Sequence, residues 1–241
     1  VMRQWVGGSP RRWRFVREAR VQGQLEHPAV VPLYDIGIDP DGNLYFTMKR
    51  VRGVSLADVI SALAAGDPAA QRRYSRRRLL TIFSQVCLAV GFIHTRGVVH
   101  RDLKPDNVML GEFGEVYLLD WGLAKILESF EPEPLVDAIG ANTTGQGSVL
   151  GTPGYMSPEQ LRGEVDRIDG RSDVYSLGVL LYEMMALEPL HPRGNMQEKL
   201  LSVLQTDGAR PGARLAAGDI DPALDDIVER ATRLEPDARY A

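Results

Sequence analysis

Cysteine is almost missing from this chain: 241 residues contain one, Cys87. An intrachain disulfide framework and a cysteine-rich zinc site are therefore excluded, and a lone thiol fits a reducing compartment. Lysine is nearly as scarce. The 28 basic residues include only Lys49, Lys104, Lys125 and Lys199, a skew toward arginine that GC-rich coding produces. There is no basic excess, since the formal net charge is −4, so composition offers no argument for a nucleic-acid partner. No apolar run is expected to reach the length that spans a bilayer. The best candidate, residues 174–187, is too short and carries Glu183. A basic-then-apolar leader is missing from the first residues as well. With 44% apolar and 25% charged residues, the chain reads as a soluble cytoplasmic domain able to bury a sizeable core.

Local patterns divide the chain into a small mixed region and a larger helical one. A helical stretch is expected over residues 15–25, followed by strands at 30–36 and 44–48 around the turn chemistry of Asp39-Pro40-Asp41-Gly42-Asn43. Leu79, Phe83, Val86, Val90 and Ile93 recur at helical spacing, so an amphipathic helix should reach His94, with Cys87 as a structural thiol on or beside its apolar face. Arg72, Arg73, Arg76, Arg77 and Arg78 read as a solvated helix start beside an acidic neighbour rather than a nucleic-acid patch. Two short apolar runs flank Gly111-Glu112-Phe113-Gly114 and predict a tight hairpin. Residues 123–156 show little periodicity, which in a compact domain points to a functional segment. Ser157-Pro158-Glu159-Gln160 is a helix start with a capping box, Asp173 is expected to open an apolar helix, and Asp221-Pro222 another with Leu224, Ile227, Val228 and Ala231 inward.

The chemistry is concentrated in His100-Arg101-Asp102-Leu103-Lys104-Pro105-Asp106-Asn107 and in Asp120-Trp121-Gly122 beyond the hairpin. Moving a γ-phosphoryl group requires a carboxylate to orient the attacking hydroxyl and take its proton, a fixed cation near the transferred group, and divalent metal. Asp102 offers the first and Lys104 the second. Asn107 and Asp120 offer hard oxygen ligands of the kind Mg²⁺ takes.

This run resembles the catalytic loop of eukaryotic-like (Hanks-type) bacterial serine/threonine protein kinases, and Asp120-Trp121-Gly122 resembles the DFG triplet that follows it. Gly151-Thr152-Pro153-Gly154-Tyr155-Met156-Ser157-Pro158-Glu159 looks like the end of the activation segment, with Ser157 in place of the alanine of APE. Asp173-Val174-Tyr175-Ser176-Leu177-Gly178 looks like the opening of the central helix. Arg239 stands where the family keeps the partner of the APE glutamate, here Glu159. Phe15 to Arg20 with His27-Pro28 looks like helix C and the turn after it. The resemblance implies an α+β, kinase-like bilobal fold: a partial β-rich N-lobe and hinge over residues 1–51, and a mainly helical C-lobe over 52–241 with the activation segment at 123–156. It implies Asp102 as catalytic base, Lys104 on the γ-phosphate, and Asn107 and Asp120 as metal ligands. Glu18 would be the helix-C glutamate, Met48 the gatekeeper, Lys49, Arg50 and Val51 the hinge against adenine, and Met109 the residue beneath the base. Arg101 would receive a phosphorylated Thr143, Thr144 or Ser148, while Thr152 would bond Asp102 and Lys104.

ATP and Mg²⁺ are the implied cofactors. The implied partners are a protein substrate with Ser or Thr acceptors and a second copy for trans-autophosphorylation, with no nucleic acid. His100, Asp173 and Arg239 read as structural. Two parts of the family pattern are not in the sequence: a G-x-G-x-x-G loop, and a strand lysine, since no lysine precedes Lys49. The expectation is a kinase domain cut just after that lysine and within its last helix, poorly active alone; a degenerate relative is the competing account. Two other functions stay open, a pseudokinase scaffold and a small-molecule phosphotransferase.

Overall fold

The computed structural model describes residues 2–6, 15–16, 19–127, 151–192, 194–213 and 220–241. The backbone packs as two compact units, Val1–Thr95 with Leu103–Ala124, and Arg96–Asp102 with Lys125–Ala241. The small antiparallel sheets and the helical remainder give the expected α+β, kinase-like fold.

In the first unit, β1 (Met2–Val6), β2 (Leu33–Ile38) and β3 (Leu44–Met48) form an antiparallel sheet in the order β1-β3-β2, with Met2 opposite Met48 and Ile38 opposite Leu44. The β2–β3 turn follows its sequence chemistry. The Asp39 carboxylate accepts from the Asn43 N–H at 2.7 Å, and Gly42 takes the left-handed conformation that closes it. β2 starts three residues later than expected because Pro32 has no N–H for a ladder; its carbonyl accepts from Lys49 N instead, at 3.0 Å. Val30 forms only an isolated bridge to Leu118. Phe15 and Ala19, in the helical residues 15–16 and 19–23 (α1), pack on Phe46, and the Phe15 and Phe46 rings stack at 4.6 Å.

The unit continues through β4 (Gly53–Ser55), α2 (Leu56–Ala64), α3 (Pro68–Arg73) and α4 (Arg76–Thr95). Ser55 and Asp58 make a reciprocal cap for α2, and Asp67 caps α3, two short elements that the apolar spacing did not announce. Contrary to expectation, α4 is long and apolar enough by length and composition to cross a membrane. One face of it, however, packs inside the unit through Leu79, Ile82, Val86, Ala89, Val90 and Ile93. Cys87 sits beside that face, and burial pushes its thiol up to about 11, so it stays protonated and inert. β6 (Val108–Gly111) and β7 (Val116–Leu118) form the expected hairpin, and β4 adds to it in the order β4-β6-β7.

The second unit is built on α6 (Gly170–Ala186), buried on nearly every side, with Ser172, Asp173, Ser176 and Glu183 as buried polar residues among its apolar ones. Asp169, rather than Asp173, caps it, accepting from Arg171 N at 2.8 Å; Asp173 lies inside the first turn, where its carboxylate faces another segment. β5 (Val98–Val99) pairs with β8 (Lys125–Ile126), and the Lys125 ammonium donates to the carbonyls of Val165 and Ile168 at 2.9 and 3.1 Å. α5 (Pro158–Arg162) begins with the Ser157–Gln160 pair. α7 (Met196–Gln205) is capped by Asn195 and α8 (Pro222–Ala231) by Asp221. On α8, Val228 and Ala231 point inward but Ile227 is exposed, because the buried stripe is narrower than its apolar spacing suggests. A 3₁₀ turn, Pro236–Ala238, precedes Arg239.

Gly178 lets α8 approach α6. A Cβ there would stand 2.7 Å from Ala231 Cβ and 2.9 Å from Thr232 Cγ2. Gly178→Val is therefore expected to destabilise by about 1–3 kcal/mol through overpacking. Urea denaturation checks this, and unchanged stability would show that the α6–α8 contact yields freely.

Candidate active site

Asp102 belongs to the second unit and is almost wholly buried. Its Oδ1 accepts two hydrogen bonds from Thr152, from the hydroxyl at 3.0 Å and from the N–H at 3.1 Å. Thr152 in turn is anchored to α6. Tyr155 N donates to the Thr152 carbonyl at 3.0 Å, Ser176 Oγ donates to the Tyr155 carbonyl at 2.8 Å, and the Tyr155 hydroxyl donates to Glu183. A carboxylate that would otherwise rotate is thus held by a segment that α6 holds.

The residue before it carries backbone strain with a visible compensation. Arg101 has φ of +70°, a left-handed conformation uncommon for a long side chain. Its N–H donates to Asp173 Oδ1 at 2.9 Å, the neighbouring His100 N–H donates to Asp173 Oδ2 at 2.8 Å, and the Arg101 carbonyl accepts from Gln160 Nε2 at 2.9 Å. Asp173 and Gln160 together grip this peptide from both sides, a structural role for Asp173 as expected. The imidazole of His100, fully buried, accepts from Asp102 N at 3.4 Å through Nδ1. It is a packed structural histidine, as expected.

Farther along the same unit, Glu159 and Arg239 make a buried ion pair, Nη1–Oε1 at 2.8 Å and Nη2–Oε2 at 2.9 Å, with Ser172 Oγ donating to Oε1 at 2.7 Å. Burial alone would raise the Glu159 carboxyl, but the Arg239 hydrogen bonds and charge and the Ser172 hydroxyl outweigh it and hold it below the ordinary range.

The first unit carries Lys104, Asn107, Asp120, Met109 and residues 48–51. Asn107 is buried at the end of the 3₁₀ turn Pro105–Asn107, and its carbonyl accepts from Leu119 N at 2.9 Å. That bond closes the open end of the β6–β7 hairpin and sets Asn107 beside the residue preceding Asp120. Asp120 is exposed and left-handed, with φ of +63°; its Oδ1 accepts from Gly122 N at 3.3 Å, and Trp121 behind it is fully buried as an anchor. Met109 is half-buried on β6, opposite Tyr117 and Ser55. Met48 ends β3. Lys49 Nζ donates to the Tyr117 hydroxyl at 2.7 Å, which raises the lysine above its ordinary value. Glu18, Thr143, Thr144 and Ser148 lie outside the described residues.

Sequence reasoning missed the roles of four members of the second unit's scaffold, Gln160, Tyr155, Ser176 and Glu183. Gln160 was legible only as a capping-box residue, and the Tyr155–Glu183 and Ser176 anchors carry no periodic signal.

Residues 8–240 match the family described as protein kinase domain. The chain belongs to the protein kinase family. This kinase domain is 36% identical over 237 residues to "Serine/threonine-protein kinase PknD" of Chlamydia felis (strain Fe/C-56), an alignment covering 95% of this chain and 25% of that protein. It is 34% identical over 237 residues to "Serine/threonine-protein kinase PknD" of Protochlamydia amoebophila (strain UWE25), covering 94% and 24%. It is 37% identical over 230 residues to "Serine/threonine-protein kinase PknB" of Mycolicibacterium smegmatis (strain ATCC 700084 / mc(2)155), covering 94% and 33%. The kinase domain spans about a quarter to a third of the length of the curated relatives it matches.

Proposed function

We propose that this kinase domain transfers the γ-phosphoryl group of ATP, with Mg²⁺, to serine and threonine hydroxyls of protein substrates in the cytoplasm. The observation that supports this best is the Asp102–Thr152 pair: a buried carboxylate, oriented by a threonine hydroxyl and N–H in a segment anchored to α6. Asp102 orients the substrate hydroxyl and accepts its proton at the carboxylate. Lys104 meets the negative charge of the transferred group. The donor set fits Mg²⁺, which takes few protein oxygens and keeps the rest of its shell for phosphate and water. Asn107 and Asp120, at one end of the hairpin, would hold it. When bound, the metal neutralises phosphate charge.

For adenine we propose Met48 as gatekeeper, residues 49–51 as hinge and Met109 as the apolar floor, with the lobe boundary after Val51. The Lys49 N–H is already committed to the Pro32 carbonyl, so the Lys49 carbonyl and the backbone of Arg50 and Val51 are what remain for the base edge. Glu18 is proposed as the helix-C glutamate. Arg101 is proposed to receive a phosphate on Thr143, Thr144 or Ser148, added by a second copy of the protein.

Thr152→Val should lower kcat about tenfold or more through loss of one charge-assisted hydrogen bond, leave the melting temperature within a few degrees, and be rescued by Thr152→Ser. Equal activity of the Val and Ser variants would remove Thr152 from the positioning role.

The sequence contains neither a lysine before Lys49 nor a G-x-G-x-x-G loop. For these 241 residues alone we expect weak nucleotide affinity and slow turnover, and for that reason a partner-binding scaffold stands as the second reading. The full-length gene product incubated with γ-labelled ATP and Mg²⁺ separates them. Metal-dependent label on protein supports the kinase. Label on an added aminoglycoside or sugar, or none at all, overturns it.

A further inference from the structure

We propose that the corner between α3, the start of α4 and the β6–β7 turn is a docking surface for an acidic segment, carrying one apolar anchor, of a protein partner. The whole corner lies within the first unit. It holds a cavity of about 320 Å³ with Arg73 and Arg78 on its helix side, Glu112 and Glu115 on its hairpin side, and Tyr74, Ile82, Leu110 and Phe113 as its apolar lining. Phe113, at the tip of the hairpin turn, is 91% exposed, and no packing among the described residues accounts for a phenylalanine there. Gly114, at φ of +96°, takes a left-handed conformation that favours glycine and places the turn beside Arg78.

Charge decides the partner. Arg72, Arg73, Arg76, Arg77 and Arg78 are all exposed, and among the described residues no carboxylate pairs with Arg72, Arg73, Arg77 or Arg78. The acidic neighbours expected from the sequence are present as Glu112 and Glu115 on the hairpin side of the same cavity, but among the described residues neither forms an ion pair with Arg73 or Arg78, and five arginines outnumber them. Three of the five arginines occupy the first turn of α4, which holds no acidic residue, although a helix N-terminus disfavours cations. Local stability would be served better by other residues at those positions, whereas an incoming carboxylate relieves the repulsion. The chain as a whole carries a net charge of −4, so this face contrasts with its surroundings and steers anionic partners.

A nucleic-acid strand fits less well. Glu112 and Glu115 stand on the hairpin side of the cavity and repel a continuous phosphate backbone. A peptide satisfies both rims, placing carboxylates against the arginines and a single apolar side chain in the cavity beside Phe113.

The probe is a fluorescein-labelled octapeptide of glutamates around one central leucine, titrated against the chain by anisotropy. Controls are the same peptide with lysines for glutamates and a short single-stranded RNA. The acidic peptide should bind with Kd in the range of about 10–100 μM and weaken as salt rises. Arg73→Glu with Arg78→Glu should weaken it about tenfold or more, and Phe113→Ser several-fold, with melting temperatures unchanged. Should the charge reversal disturb folding, Arg73→Gln with Arg78→Gln gives the same reading with a smaller loss. Absence of binding, equal binding of the lysine peptide, retention of affinity in the arginine variants, or displacement of the peptide by RNA would each overturn the proposal. None of these readouts depends on phosphoryl transfer.

Discussion

Replacing Arg239 by alanine is expected to cost about 3–5 kcal/mol of stability, the loss that follows when one partner of a buried ion pair is removed. The Arg239 side chain is fully shielded, and so is that of Glu159. Its guanidinium donates not only to both oxygens of Glu159 but also to the carbonyls of Arg171, Arg233 and Leu234 at 2.8–2.9 Å. Deletion leaves a carboxylate and three carbonyls without their donor, and a lysine cannot rebuild the planar fork. Replacing both partners, Glu159→Gln with Arg239→Met, should cost less than the single change, because no charge is then stranded. The pair also gives a pH dependence. The Glu159 carboxyl is depressed in the fold, so between its folded value and the ordinary value of 4.5 the unfolded chain binds more protons. Its stabilisation is complete above about 4.5 and is lost as pH falls through the folded value. Urea denaturation at neutral and acidic pH measures both effects. A loss under about 1 kcal/mol for Arg239→Ala would show that the pair is not a structural tie.

Asp102→Asn in the full-length protein is expected to lower phosphoryl transfer by about 10²–10⁴-fold, the usual contribution of a positioned base. Asparagine preserves size and an oxygen that still accepts from Thr152, so the fold and nucleotide binding should survive. In the proposed role, what is lost is the acceptor for the hydroxyl proton. Single-turnover transfer, run beside a nucleotide-binding titration, distinguishes the two effects. Transfer at the wild-type rate, or equal loss of transfer and of binding, would remove Asp102 from the base role.

Much of this geometry is readable in the residues themselves. The Asp39–Asn43 turn, the β6–β7 hairpin, the Ser157–Gln160 cap and the Glu159–Arg239 pair all depend on local chemistry or on a motif that fixes the partner, and each has its expected place. What escaped is of two kinds. Boundaries moved where one residue altered the hydrogen-bond supply, as when Pro32 delayed β2 and Asp169 took over the cap of α6 from Asp173. Tertiary ties such as Gln160 to the Arg101 carbonyl and Ser176 to Tyr155 join residues far apart in sequence through single polar atoms, which no spacing rule records. The left-handed Arg101 and Asp120 belong to the same class. Neither is a glycine, so nothing in composition marks them, and only the folded backbone shows where strain is held.

The most direct test of the central reading uses three peptides identical except for a serine, threonine or tyrosine acceptor, incubated with the full-length protein, ATP and Mg²⁺, with the phosphate mapped by mass spectrometry. Phosphoserine and phosphothreonine, with tyrosine unmodified and no product in EDTA, is the predicted result. Phosphotyrosine as the main product, or no phosphate on any of the three under conditions where the protein binds ATP, would contradict it.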